Sequence, residues 1–182
     1  MGYRRPNGEL PPEDSYSWVT EPERFGVVVE TADLLVQRLS ATYDVLAVPA
    51  ELDRALRAVE LAPREGAPIT MGVSAFPGVV LKAGVWTPAS SFPACGCDAC
   101  DESGQDAVDS LLEELAAIVH GGFSEHLSAR GLESVWDHGD RRRSSTAPLG
   151  RSERRALAML APAGDRRWPA WPLRSASVTP AT

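Results

Sequence analysis

Three cysteines fall within six positions, Cys95, Cys97 and Cys100 in the stretch CGCDACDE, and the chain of 182 residues contains no others. Cys-x-Cys and Cys-x-x-Cys are both spacings at which one turn can aim two thiolates at a single metal ion. Zinc prefers four ligands, so a site made of Cys95, Cys97 and Cys100 is one short. Asp98, Asp101, His120, His126, His138 or a water could complete it. The loop also precedes a helix-like stretch, and the positive end of a helix dipole favours thiolate over thiol. A second Cys-x-x-Cys half, the mark of a zinc ribbon, is missing. Two other readings stay open. Cys97 and Cys100 could form a redox pair, although a proline-rich loop precedes them where a thioredoxin-like site wants a strand, and neighbouring carboxylates raise a thiol pKa. Or the cysteines pack a tight turn as small hydrophobic groups.

Other catalytic patterns fail. Cys100-Asp101-Glu102 offers the first piece of a zinc deaminase signature, but no Pro-Cys-x-x-Cys follows. Neither a phosphate-binding glycine loop nor a Gly-x-Ser-x-Gly elbow occurs. A small enzyme working beside the cysteine loop would depend on Asp98, Asp101 or Glu102. Each histidine has an ordinary role available: His120 at a helix end, His126 on a polar helix face, His138 in a turn. Glu113 and Glu114 read as solvated charge.

Around these residues the chain is acidic, with a net charge of −7, which argues against general nucleic-acid binding. The charge is uneven. Residues 141–182 carry nine Arg against Glu153 and Asp165, the pattern of a basic segment lying on an acidic body. Arg141-Arg142-Arg143 on a strand would point to both faces, which makes a poor continuous stripe for an acidic protein partner. No apolar run approaches the roughly 20 residues of a membrane span, and the start MGYRRPNGEL lacks the core of a signal peptide. A cytoplasmic protein with reduced thiols and no membrane partner is expected.

Residues 1–19 read as an extended polar lead-in. Thr20-Glu21-Pro22-Glu23 has the form of a capping box opening a helix over about 21–42, with Phe25, Val28, Ala32, Leu35 and Leu39 on one face. Strands are expected at 43–48, stopped by Pro49, and at 58–62, with one helical turn between them. Ile69–Phe76 and Val79–Val85 flank Pro77-Gly78 as a hairpin. Ser103 with Asp106 caps a second helix ending at Gly121-Gly122, followed by a short helical continuation through Phe123 and Leu127. Leu132–Trp136 and Arg143–Ala147 form another hairpin, and Ser152 caps a helix reaching Leu160. Trp168 and Trp171 are expected to dock on the body, with a disordered tail over 175–182. The sum is one α+β domain over 20–174: a mainly antiparallel or mixed sheet packed on two longer helices and one short C-terminal helix.

Five segments then carry a family likeness in order: PPEDSYS (11–17), TEPERF (20–25), AFPGV (75–79), CGCDACDE (95–102) and WPAWP (168–172). Together they resemble an actinobacterial family known as domain of unknown function 6226. The resemblance spans nearly the whole chain and implies a single-domain bacterial protein. It implies no activity, substrate or cofactor. What remains is a binding or regulatory domain with a thiolate zinc site as its chemical feature, with a small enzyme or a thiol redox protein as alternatives.

Overall fold

A computed structural model describes Tyr16 and residues 18–175; the lead-in up to residue 15 and the tail from 176 lie outside the described residues. The fold is α+β, as its patterning indicates, but the strands divide between two sheets instead of sharing one, and every pairing is antiparallel. The first sheet is a meander in the order β1-β2-β3-β4-β5, with β1 Val45–Ala50, β2 Ala55–Pro63, β3 Ile69–Ser74, β4 Val79–Ala83 and β5 Ser90–Phe92. The second has the order β8-β7-β6-β9, with β6 Phe123–Ser128, β7 Gly131–His138, β8 Arg141–Ala147 and β9 Gly164–Arg167. Helix α1 spans Gly26–Thr42, α2 Gly104–Val119 and α3 Arg151–Leu160. One hydrophobic cluster joins both sheets to α1 and α2: Val28 and Leu39, Ile69 and Leu81, Leu111 and Ile118, Phe123 and Trp136 all belong to it.

Helix α1 keeps the apolar face expected of it, yet its start differs. Glu21 is left-handed at φ 58°, a 3-10 turn over Pro22–Phe25 follows, and no side chain caps either piece. The expected Thr20 box is absent because the Thr20 amide is taken by Asp98. Pro49 lies inside β1 instead of ending it. As the outermost strand, β1 has one edge without a neighbour, where proline's missing N–H is tolerated. Between them, Ala55 already opens β2, so no helical turn forms at 51–56. The Pro77-Gly78 hairpin forms as expected. The Ser74 amide donates to the Gly78 carbonyl at 3.0 Å and the Ser74 hydroxyl to the Phe76 carbonyl at 2.6 Å.

Helix α2 has the capping box read from sequence. The Asp106 amide donates to the Ser103 hydroxyl at 3.1 Å, and the Ser103 amide to the Asp106 carboxylate at 3.0 Å. It ends in a Schellman arrangement, Gly122 amide to Ala117 carbonyl and Gly121 amide to Ile118 carbonyl, with Gly121 at φ 80°. The chain after it is strand, not the expected helix. Phe123, Glu125 and Leu127 are buried while Ser124, His126 and Ser128 are only partly so, a period of two. Phe123 and Leu127 also fit a helical i, i+4 spacing, which is why the pattern misleads. His126 therefore stands on a strand, paired with Asp165 of β9 at 2.6 Å. Helix α3 begins two residues earlier than read, capped at Gly150 instead of Ser152, and the Gly150 amide donates to Glu153 at 2.6 Å.

The two sheets meet at Glu125, which is 1% exposed. Its carboxylate accepts from the amides of Val85, Trp86 and Thr87, from the Thr87 hydroxyl and from the Trp168 indole N–H, all between 2.6 and 3.1 Å. Gly84, at φ 65°, has no Cβ because one would overlap this carboxylate. Lys82 lies beside it with its ammonium on the Val85 and Thr87 carbonyls; burial pushes that amine down, against the opposing pull of Glu125. The C-terminal strap closes the other side. Trp171 is 3% exposed and its indole N–H donates to the Ala67 carbonyl at 2.9 Å, while Tyr43 bridges to Leu173.

Two stability outcomes follow. Glu125→Ala leaves five donors without their acceptor and should cost about 3 kcal/mol or more, read as a fall in the denaturant midpoint; Glu125→Gln, which keeps one acceptor oxygen, should cost less. Deleting residues 165–182 removes most of β9 and both docked tryptophans, so thermal scanning should show a lower Tm. An unchanged Tm would mean the strap contributes no stability.

Candidate metal centre

The cysteine loop is held where the approaches to the two long helices meet. From the first approach, Trp18 accepts the Asp98 amide at 2.9 Å and the Thr20 amide donates to the Asp98 carboxylate at 2.9 Å. Arg24 reaches across with its guanidinium on the carbonyls of Gly96 and Glu102, 3.8 Å from Asp98 and over the Phe25 ring. From the second approach, Glu102 folds back so that its carboxylate accepts the amides of Ala94 and Cys95 at 3.2 and 3.1 Å. Each of these atoms has a backbone or charged partner, so the loop is fixed without help from its sulfur atoms.

That clamp turns the three thiols toward one another. Cys95 Sγ lies 3.2 Å from Cys97 Sγ, and Cys97 Sγ 3.4 Å from Cys100 Sγ. All three sulfurs lie within 4.8 Å of one another, and among the described residues the group holds no further ligand atom. Cys95 is exposed, Cys97 buried and Cys100 half-buried. The hydrogen bond from Cys95 draws the Cys97 thiol down, ahead of the opposing effect of burial. Cys100 is pushed up to about 12, first by its hydrogen bonds to Cys97 and Cys95 and then by burial. Three sulfurs facing one another across so short a span are the metal-free arrangement of a thiolate site. The donor set fits a soft cation such as zinc. Zinc–sulfur distances of roughly 2.3 Å in a tetrahedron place sulfurs about 3.8 Å apart, so the two close pairs need to open by only a few tenths of an ångström.

Gly96 serves this turn by close approach and not by an unusual φ, since a Cβ there would strike the Phe76 ring. The left-handed position is Asp101, at φ 49°. The candidate fourth ligands do not converge. Asp98 is committed to Thr20 and Arg24. His120 caps the far end of α2, about 24 Å along a 16-residue helix. There it stacks on His138 at 4.9 Å, and His126 belongs to β6. Glu102 and Asp98 are likewise held by backbone amides, which removes two of the three carboxylates an enzyme at this loop would use. The pairing of Cys97 with Cys100 is no closer than that of Cys97 with Cys95, so nothing singles out a redox pair.

Two further carboxylates are missed by sequence reasoning. Glu114 is 4% exposed, not solvated. It accepts from Ser90 at 2.9 Å and pairs with Arg143, and its burial raises the carboxyl more than Arg143 lowers it. Glu125 is the hub already described. The only advance signal is parity: Glu125 alternates in phase with Phe123 and Leu127, and Glu114 falls between Leu111 and Leu115 on the apolar face.

The Ser103 cap supplies a test of the loop's anchorage. Its hydroxyl and amide hold the Asp106 carboxyl below the ordinary value of 3.8. A lowered folded-state pKa contributes stability above that value and loses it as the pH falls through the folded-state pKa. Asp106→Asn should therefore reduce the urea midpoint at neutral pH and flatten its decline in acid. Equal acid sensitivity in both proteins would rule the cap out as its source.

Among the described residues no helix is long and apolar enough to cross a membrane. Comparison with curated proteins and with solved structures finds no match. The family of unknown function DUF6226 matches residues 1–175, the span over which PPEDSYS, TEPERF, CGCDACDE and WPAWP are distributed. The chain belongs to that family.

Proposed function

We propose that this domain is a binding or regulatory module in which Cys95, Cys97 and Cys100 hold one zinc ion as a structural staple. The observation that supports it is the convergence of the three sulfurs within 4.8 Å on a loop clamped from both helix approaches. With Asp98 engaged elsewhere, the fourth position falls to water or to Asp101, which is exposed next to Cys100. The metal would close the turn that leads into α2, and so contribute directly to folding. A structural role suits the loop better than a catalytic one, because two of its three carboxylates, Asp98 and Glu102, are engaged by backbone amides. A cleft of about 520 Å³ lies along α2 and the β7–β8 hairpin and is lined by no cysteine.

Elemental analysis of purified protein should find about one zinc per chain. Chelation should lower Tm and loosen the start of α2. Cys97 belongs to both spacings, so Cys97→Ser should weaken zinc binding more than Cys95→Ser or Cys100→Ser. Protein that carries no metal and takes up no zinc with its thiols reduced would reject the site.

A further inference from the structure

The β7–β8 hairpin and α2 enclose a cleft of about 520 Å³, lined among others by Ser110, Glu113, Trp136, His138, Arg141 and Arg143. Register explains its chemistry. Arg141 lies opposite His138 and Arg143 opposite Trp136, so these four share the sheet face that α2 covers, while Arg142 turns to the other face and pairs with Asp137. Glu113 and Glu114 of α2 hold Arg141 and Arg143 in place. Each of those ion pairs engages a single guanidinium nitrogen, which leaves most of the donors of both side chains without a partner among the described residues.

The decisive atom is the indole nitrogen of Trp136. The residue is 6% exposed, the nitrogen is buried, and among the described residues its N–H has no acceptor. Buried donors of this kind are nearly always satisfied. The Arg143 guanidinium covers the ring at 4.3 Å. That side chain is 54% exposed and is tied to Glu114 through one guanidinium nitrogen, so the rest of the group can shift off the ring. A second space of about 250 Å³ shares Trp136 and Arg143 as lining, so the pair stands as a partition with room on either side. An unpaired N–H calls for an acceptor. Two guanidinium groups beside it call for a negatively charged one, and bidentate geometry suits a carboxylate or phosphoryl group. A cationic ligand would find Glu113, Glu114 and Asp140, which also line the cleft, but would leave the Trp136 N–H unmet.

We infer that this cleft binds a small anionic ligand through its oxyanion group, a carboxylate or a phosphate, received by Arg141, Arg143 and the Trp136 indole N–H. The cleft size suits a small molecule. This inference rests on the binding reading given above and not on the zinc site.

Nitrogen-15 NMR of the five tryptophan indoles tests it, with Trp136→Phe identifying the resonance. Inorganic phosphate and succinate are titrated separately against chloride at matched ionic strength. The Trp136 N–H should shift saturably with at least one of the two. A response to phosphate alone assigns a phosphoryl ligand, to succinate alone a carboxylate. Arg141→Gln, at an exposed site, should weaken the response about tenfold while the Trp171 resonance stays in place and reports an intact fold. No shift with either anion, an equal shift with chloride, or an unchanged response in Arg141→Gln with Trp171 unmoved overturns the inference. Metal content measured on the same sample separates the outcomes: zinc without anion binding removes this site alone, and anion binding without zinc removes only the staple.

Discussion

Glu125 is the point on which the two sheets depend. It rises from β6 in the second sheet, yet four of its five donors belong to the Val85–Thr87 turn that leaves the first. The fifth, from Trp168, belongs to the strap after β9. A buried carboxylate is expensive unless its oxygen atoms are filled, and here they are filled by groups that would otherwise be unsatisfied themselves. The surroundings are shaped to that end: Gly84 yields its side chain, Lys82 holds the carbonyls of the same turn, and Ser134 bonds the Thr87 hydroxyl at 2.7 Å. Apolar packing brings the sheets together, and this cluster fixes where they meet.

What was legible in the sequence is what local chemistry controls. The Ser103–Asp106 box, the Pro77-Gly78 turn and the Gly121-Gly122 stop each depend on residues within a few positions, and each formed where its pattern placed it. Elements set by distant partners were not legible. Strand β9 is Gly-Asp-Arg-Arg, without an apolar residue, and exists because β6 offers an edge and because Trp86 and Trp168 take the Arg166 side chain. Strand β5 is three residues within a proline-rich run, paired to β4. The Thr20 box failed for the same reason in reverse, since a partner 78 residues away claimed its amide.

The candidate centre divides along the same line. That three cysteines in six residues are able to gather their sulfurs follows from spacing. How the loop is held does not, because Arg24, Thr20 and Trp18 come from another helix approach. Glu114 and Arg143 were seen only as charge, one on a solvated face and one in a basic run, and their pairing beneath α2 needed the register of β8. Helix α2 now carries both features, the thiol loop at its start and the arginine cleft along its length, so a change at one end has a stiff element through which to reach the other.

The docking of the strap has a consequence for synthesis. Residues 164–174 supply the edge of the second sheet, the Trp168 donor to Glu125 and the Trp171 ring that fills the core beside Gly66 and Ala67. The Trp171–Ala67 bond spans 104 residues. Until that segment is in place, β6 has an unpaired edge and the core a tryptophan-sized gap. Native closure must wait until that last segment has left the exit tunnel, so the nascent protein passes through an interval in which it is open to chaperones and to mispairing at β6.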